Sequence, residues 1–260
     1  MSGSKKLLLF FVFVLMTFIG FPACAQHNYN EEIDFLWEYS VDGRNIRIID
    51  YLGGKREVNI PSVINTFTVS EIGENAFSNN RLTGVNFPNT ITIIGNNAFF
   101  NNRLRGMTLP NGLIHIGENS FSDNNLEGIT IPISVIFIGS NAFRNNSLRG
   151  LTIPNNVIVI GNNAFSDNRL EGVTISNNVT SIGNSSFRNN RLRGIAIPGS
   201  VNSIGEFAFA GNRIATIEIG NNISVEGNAF DNGFVEFYES QGRKGGIYSF
   251  SYRRWSAVFR

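Results

Sequence analysis

The sequence is poor in the residues that carry out chemistry. It has one cysteine, Cys24, and two histidines, His27 and His115. A single cysteine excludes an intramolecular disulfide. Two histidines far apart in the chain, with no second thiol, leave a zinc site without ligands. Charge is scarce as well. Charged residues make up 16% of the 260 and the formal net charge is +1, which excludes a general electrostatic attraction to nucleic acid. The one long apolar run, residues 7–21, falls short of the ~20 residues of a membrane span. The recurring glycines each follow an isoleucine at a coil corner and read as turn positions, not as a phosphate cradle. No cofactor is implied.

What the chain has in abundance is repetition. Residues 104–125, LRGMTLPNGLIHIGENSFSDNN, form a unit that begins again at Leu126, Leu148, Leu170 and Leu192, with further copies at Leu82 and Ile214. Gly73, Gly95, Gly117, Gly139, Gly161, Gly183 and Gly205 keep a period of 22 without a slip. A fixed period in the twenties marks a solenoid, in which each coil stacks only on its neighbours. The expected fold is a β-rich solenoid, a right-handed leucine-rich-repeat-like stack of 22-residue coils with small β caps at both ends.

Roles within a coil follow from alternation. In Gly84-Val85-Asn86-Phe87-Pro88, residues 85 and 87 point one way and 86 the other. Stacked copies predict a parallel sheet whose inward rows run Val85, Met107, Ile129, Leu151, Val173, Ile195 and Phe87, Leu109, Ile131, Ile153, Ile175, Ile197. Proline ends most of these strands, Ser176 being the exception. The row Phe77, Phe99, Phe121, Phe143, Phe165, Phe187, Phe209 fills the far side of the core. Asn80, Asn102, Asn124, Asn146, Asn168, Asn190 and Asn212 recur once per coil and read as an inward ladder, since Asn satisfies both a backbone N–H and a C=O.

The repeat P-x-x-V-x-x-I-G-x-x-A-F-x-x-N-x-L-x-G-V-x-I-P resembles the BspA-type leucine-rich repeats of bacterial surface proteins. Asn177-Asn178-Val179-Thr180-Ser181-Ile182-Gly183 is close to that family's usual wording. The resemblance covers about residues 58–230. The flanking segments YSVDGRNIRIIDYLGG and FYESQGRKGGIYSF also resemble segments beside such repeats. The resemblance implies a secreted or surface-attached protein, and several members are implicated in adhesion to host matrix proteins and to other bacteria.

Before the repeats, Lys5 and Lys6, the apolar run and Pro22-Ala23-Cys24-Ala25-Gln26 form a secretory signal peptide, residues 1–25. Two cleavages compete. Ala23 and Ala25 suit ordinary signal peptidase, cutting before Gln26. Alternatively Cys24 is a lipoprotein cysteine, acylated as the first mature residue, although Phe21-Pro22-Ala23 matches a lipobox only loosely. Removal of both lysines leaves 19 basic against 20 acidic residues. Residues 26–57 are a tether and an N-terminal β-hairpin cap, with Asp42-Gly43 as a type I′ turn. The repeats occupy residues 58–233. Residues 234–260 form a C-terminal β cap, in which residues 234–238 and 246–252 alternate like strands.

Candidate chemistry dissolves on inspection of the period. His115 has Ile93 and Phe137 one coil away, so it lacks a nucleophile partner. Asp123 with Glu127, and Asp167 with Glu171, have the look of catalytic carboxylate pairs. The position after each repeat-start leucine, however, reads Arg105, Glu127, Arg149, Glu171, Arg193. Opposite charges alternate from coil to coil, which predicts a cross-strand charge ladder instead. No enzyme is indicated.

Two surface stripes remain. One is polar: Asn86, Thr108, Thr130, Thr152, Thr174, Ala196, Glu218. The other departs from the family wording. Before Ile-Gly the family has two polar residues, as in Thr180-Ser181 and Asn202-Ser203. Earlier coils have Thr92-Ile93, Ile114-His115, Ile136-Phe137 and Ile158-Val159. Alternation forbids both members from pointing inward, so one side chain per coil is expected at the surface. Ile93, Ile114, His115, Ile136, Phe137, Ile158 and Val159 are the candidate partner-binding residues. The leading reading is a non-enzymatic, adhesin-like module that is secreted or anchored on a bacterial cell and binds an extracellular protein of host matrix or bacterial surface. The alternatives are a self-associating envelope component and a glycan binder using Tyr238, Tyr248 and Trp255. Nucleic acid is not an expected partner, and a membrane enters only through a lipid on Cys24.

Overall fold

A computed structural model describes residues 34–259. The expected signal segment, Cys24, His27 and the tether lie outside the described residues. One 22-residue unit cannot bury its own apolar face, so the units stack. Eight phenylalanines, Phe77 through Phe209 at the repeat spacing and then Phe230, form a column that is at most 5% exposed. Successive rings lie 4.8–5.6 Å apart and within 12° of parallel. Tyr51 continues the stack onto Phe77 at 5.5 Å. The β-solenoid therefore has one unbroken core.

The Asn row links the coils. Asn146 illustrates it: its Oδ1 accepts the Leu126 N–H at 3.0 Å, and its Nδ2 donates to Phe121 O at 2.9 Å and Phe143 O at 3.2 Å. Asn102, Asn124, Asn168, Asn190 and Asn212 repeat the pattern. A buried amide thus closes polar groups of adjacent coils that the short strands leave open.

The sheets differ from expectation. The N-terminal part holds β1 (Phe35–Tyr39), β2 (Ile46–Tyr51), β3 (Glu57–Asn59), β4 (Val63–Ile64), β5 (Phe67–Ile72) and β6 (Gly84–Asn86). Next come β7 (Ile93–Ile94), β8 (His115–Ile116), β9 (Phe137–Ile138), β10 (Gly150–Thr152), β11 (Val159–Ile160) and β12 (Gly172–Thr174). The last coils hold β13 (Ser181–Ile182), β14 (Gly194–Ala196), β15 (Ser203–Ile204), β16 (Thr216–Ile219) and β17 (Ser224–Val225). The long sheet, of 11 strands, follows the Ile-Gly corner in the order β1-β2-β5-β7-β8-β9-β11-β13-β15-β17, with β4 beside β5. The Gly-Val-x-Ile segments, expected to carry the sheet, pair only as β3-β6, β10-β12 and β14-β16. Their side chains still point as read, with Val85, Leu151 and Ile195 buried and Thr108, Thr130, Thr152 and Thr174 exposed.

The repeat glycines are needed for a different reason than expected. None lies in the left-handed region. A Cβ on Gly117 would come within 2.6 Å of the Gly95 carbonyl carbon, and one on Gly139 within 2.6 Å of Glu118 N. They permit close approach of coil backbones. Left-handed geometry falls instead to Asn75, Asn97, Asn119, Asn141 and Asn163, with Ser185 and Phe207 in the same file.

Both caps need correction. β1 and β2 form the expected antiparallel hairpin, and β2 joins β5, covering the sheet edge. Its loop is not a type I′ turn, because only Gly43 has positive φ. Asp42 shapes the loop instead, accepting from Ser40 Oγ at 2.6 Å and Arg44 N at 3.1 Å. The two-residue turn with both φ positive lies at Asn65-Thr66, between β4 and β5. At the other end, residues 234–238 are not a strand. They belong to α1 (Phe234–Ser240), which buries Phe234, Val235 and Tyr238 over the last coil. The i, i+1, i+4 spacing of those three suits one face of a helix, where a strand would turn Val235 to the opposite face, and the left-handed Gly233 turns the chain into it. β18 (Gly246–Ser251) and β19 (Arg254–Phe259) then extend the second face as β14-β16-β18-β19.

Candidate functional site

The exposed face of the long sheet carries the candidate residues. Ile93, His115, Phe137 and Val159 are direct cross-strand partners in consecutive coils. Their buried neighbours Ile94, Ile116, Ile138 and Ile160 hold them from beneath. Ile114, Ile136 and Ile158 form a second file beside the first. Ile136 and Ile158 are 50% exposed, Ile114 45%, Val159 41% and Phe137 40%, while Ile93 and His115 are half-buried. So both members of a pair face outward in two coils, not one as expected. In the Ile136–Phe137 coil the backbone shows why: both N–H groups reach Ile114 O, at 3.0 and 3.5 Å. Ile114 and His115 share Thr92 O likewise, at 2.8 and 3.2 Å, although His115 stays half-buried. Two residues facing one acceptor make a bulge-like step that breaks alternation.

The strip is uncharged. No Asp, Glu, Lys or Arg occurs in residues 88–95, 110–117, 132–139 or 154–161. The His115 ring stacks on Phe137 at 4.8 Å, and burial holds its pKa below the ordinary value, so it is neutral at pH 7. Polar groups close both ends. Arg47 pairs with Glu71 at 2.6 Å on one side, and Ser181 and Ser203 share a hydrogen bond of 3.0 Å on the other. Sequence reasoning missed Ile133, which is 67% exposed in the turn that leads into the same coil's strand. The available signal was its place after Pro132, where four other coils have Asn89, Asn111, Asn155 and Asn177.

The other candidates resolve into structure. Asp123 accepts from Asn145 and Ser122. Burial alone would raise the Asp167 carboxyl, but hydrogen bonds from Asn189, Arg144 and Ser166, with the Arg144 charge, hold it below its usual range. Both acids thus serve inter-coil contacts, and Glu127 and Glu171 are exposed. The alternating charges sit on stacked backbones, with Glu171 N donating to Arg149 O at 2.8 Å. Yet among the described residues Arg105, Glu127, Arg149, Glu171 and Arg193 form no ion pair; the ladder acts through space only. Tyr238 and Tyr248 are fully buried in the C-terminal cap, and Trp255 packs on Phe234 at 5.1 Å. Neither tyrosine ring is open for stacking on a sugar. Among the described residues no three His, Cys, Asp or Glu come together as a metal site requires, and no helix is long and apolar enough to cross a membrane.

Comparison with known proteins agrees with this architecture. The model of the BspA type leucine rich repeat region matches residues 55–170 and 114–235, in six copies. A leucine rich cell surface protein from Faecalibacterium prausnitzii is similar in structure, with a TM-score of 0.67 and 26% identity over 92% of this chain. This chain spans 62% of that protein's length. The leucine rich repeat protein of Treponema pallidum shares the fold, with a TM-score of 0.52 and 24% identity over 79% of this chain and 84% of its own. No curated protein matches the sequence. With the family's repeat matched across well over half its length, the chain belongs to the BspA type leucine-rich repeat family.

Proposed function

We propose that the protein is a non-enzymatic, adhesin-like module at a bacterial surface, binding an extracellular protein through the apolar strip. The observation that carries this reading is the strip itself: five large apolar side chains, each 40–50% exposed, in adjacent coils on an uncharged sheet face. Monomeric soluble proteins seldom leave so contiguous a patch bare. A bare apolar centre with a polar rim is the anatomy of a protein interface. Family membership and the cell-surface description of the Faecalibacterium relative support the location. Attachment through an acyl group on Cys24 belongs to the same proposal.

The test is the triple variant Phe137→Ser, Ile114→Thr, Ile158→Thr in the secreted chain. Capture by immobilised matrix proteins or bacterial surfaces falls at least tenfold, while the thermal midpoint moves little because these side chains are half in water already. Unfolding of the variant would place them in the core and end the proposal. Concentration-dependent self-capture alone would replace it with the envelope-component reading.

A further inference from the structure

Another side of the coils carries a different surface. Arg169, Arg191 and Arg213 occupy one position in three consecutive coils. Their backbones stack in register, Arg191 N donating to Leu170 O and Arg213 N to Leu192 O, each at 2.9 Å. Arg193 lies two residues beyond Arg191, and Glu171 stands at the same offset from Arg169, so one exposed carboxylate borders the arginines. All four arginines are exposed, and among the described residues none has an ion-pair partner. Asp167, a nearby carboxylate, is held by Arg144 at 3.1 Å and Asn189 at 2.8 Å.

This arrangement works against the fold. Coil neighbours sit ~4.8 Å apart, and like charges directly opposite one another are destabilising. Two positions along, the chain avoids the problem by alternating Arg149, Glu171 and Arg193. The same position holds Arg81 and Arg103 in the first coils and is neutral only between, as Asn125 and Ser147, so three consecutive arginines occur in the last coils alone. Folding alone gives no reason for three arginines in line.

We propose that this file binds an extended acidic polysaccharide lying along the stack of coils, its carboxylate or sulfate groups on the guanidinium forks. Arginine suits this task because its planar fork grips such anions with two hydrogen bonds. A chain with an acidic group on successive sugars presents a regular line of charge, and the file presents the complementary line. Single-stranded nucleic acid fits less well, because its bases need aromatic platforms. Residues 166–172, 188–194 and 210–216 contain no aromatic residue, and the nearby Phe207 ring is covered by the Arg188 guanidinium at 5.4 Å. A protein partner would need an apolar anchor, which these Asn- and Gly-rich turns lack.

The experiment measures the full chain on immobilised heparin and on polygalacturonate, with single-stranded DNA as competitor. Binding to either glycan, weakening steeply with salt, is the expected result. Heparin alone identifies a sulfated ligand and polygalacturonate alone a carboxylated one. Arg169→Gln, Arg191→Gln and Arg213→Gln together weaken binding at least tenfold. Equal charge removal at Arg44, Arg253 and Arg254, exposed and outside this repeat position, does not. The thermal midpoint of the first variant stays level or rises, since repulsion is relieved, so lost binding cannot be lost folding. No binding to either glycan at low salt, equal loss in both triple variants, or displacement by DNA at equal charge concentration would each overturn the proposal.

Discussion

Replacing Asn146 with alanine tests the element that joins the coils. Asn146 is 8% exposed and its amide serves two coils at once. Truncation leaves the Leu126 N–H and the Phe121 carbonyl without partners, in residues whose side chains are fully buried. Each orphaned group costs about 1–3 kcal/mol, so the expected loss is about 2–6 kcal/mol. Asn155→Ala, at an exposed position of the next coil, is the control, with an effect within about 0.5 kcal/mol. Asn146→Asp refines the test. A carboxylate still accepts from Leu126 but faces the Phe121, Phe143 and Arg144 carbonyls that the amide had served. Its folded-state pKa is raised, so its penalty is greatest at neutral pH and shrinks as pH falls toward the ordinary Asp value of about 3.9. Urea unfolding followed by far-ultraviolet circular dichroism reports the array. Trp37 and Trp255, in the two caps, report the ends by fluorescence. An Asn146→Ala loss no larger than that of Asn155→Ala, or an Asp variant indifferent to pH, would refute the role given to the ladder.

Three further outcomes are expected. Ser120 and Ser186 replace alanine in the file of Ala98, Ala142 and Ala164, and their buried hydroxyls have no partner, so Ser120→Ala and Ser186→Ala each stabilise by about 1 kcal/mol in urea unfolding. The Tyr248 phenol, which donates to Lys244 O at 2.6 Å, is pushed up to about 12 by burial and by neighbouring Tyr238. A raised acid stabilises the fold below its ordinary pKa, near 10, and loses that contribution as pH rises through about 12. Trp255 fluorescence should show the C-terminal cap loosening across that interval, and Tyr248→Phe should flatten the change. Glu127→Arg, which sets arginine at 105, 127 and 149, costs less than about 0.5 kcal/mol because no close ion pair is lost. High salt should erase that small loss; a salt-independent cost would mean the charges are not its source.

A solenoid makes much of its structure legible, because the neighbour of every residue is the residue 22 positions away. The Phe column, the Asn ladder, the buried Ile file and the outward Thr row were all readable from repetition and alternation alone. Repetition also exposed Ile136 and Phe137 as departures from the family wording. What the period cannot convey is how coils hydrogen-bond and how closely they approach. Whether the Ile-Gly corner or the Gly-Val-x-Ile segment carried the long ladder depended on backbone register between coils. The paired outward turn of Ile136 and Phe137 came from two N–H groups sharing the Ile114 carbonyl. The glycines answer to backbone packing across coils, a contact no local pattern contains. At the C-terminus the period ends, and a run as short and apolar as residues 234–238 is read as either element. There the last coil decided, since its open apolar face needed a cover and α1 buries all three side chains against it.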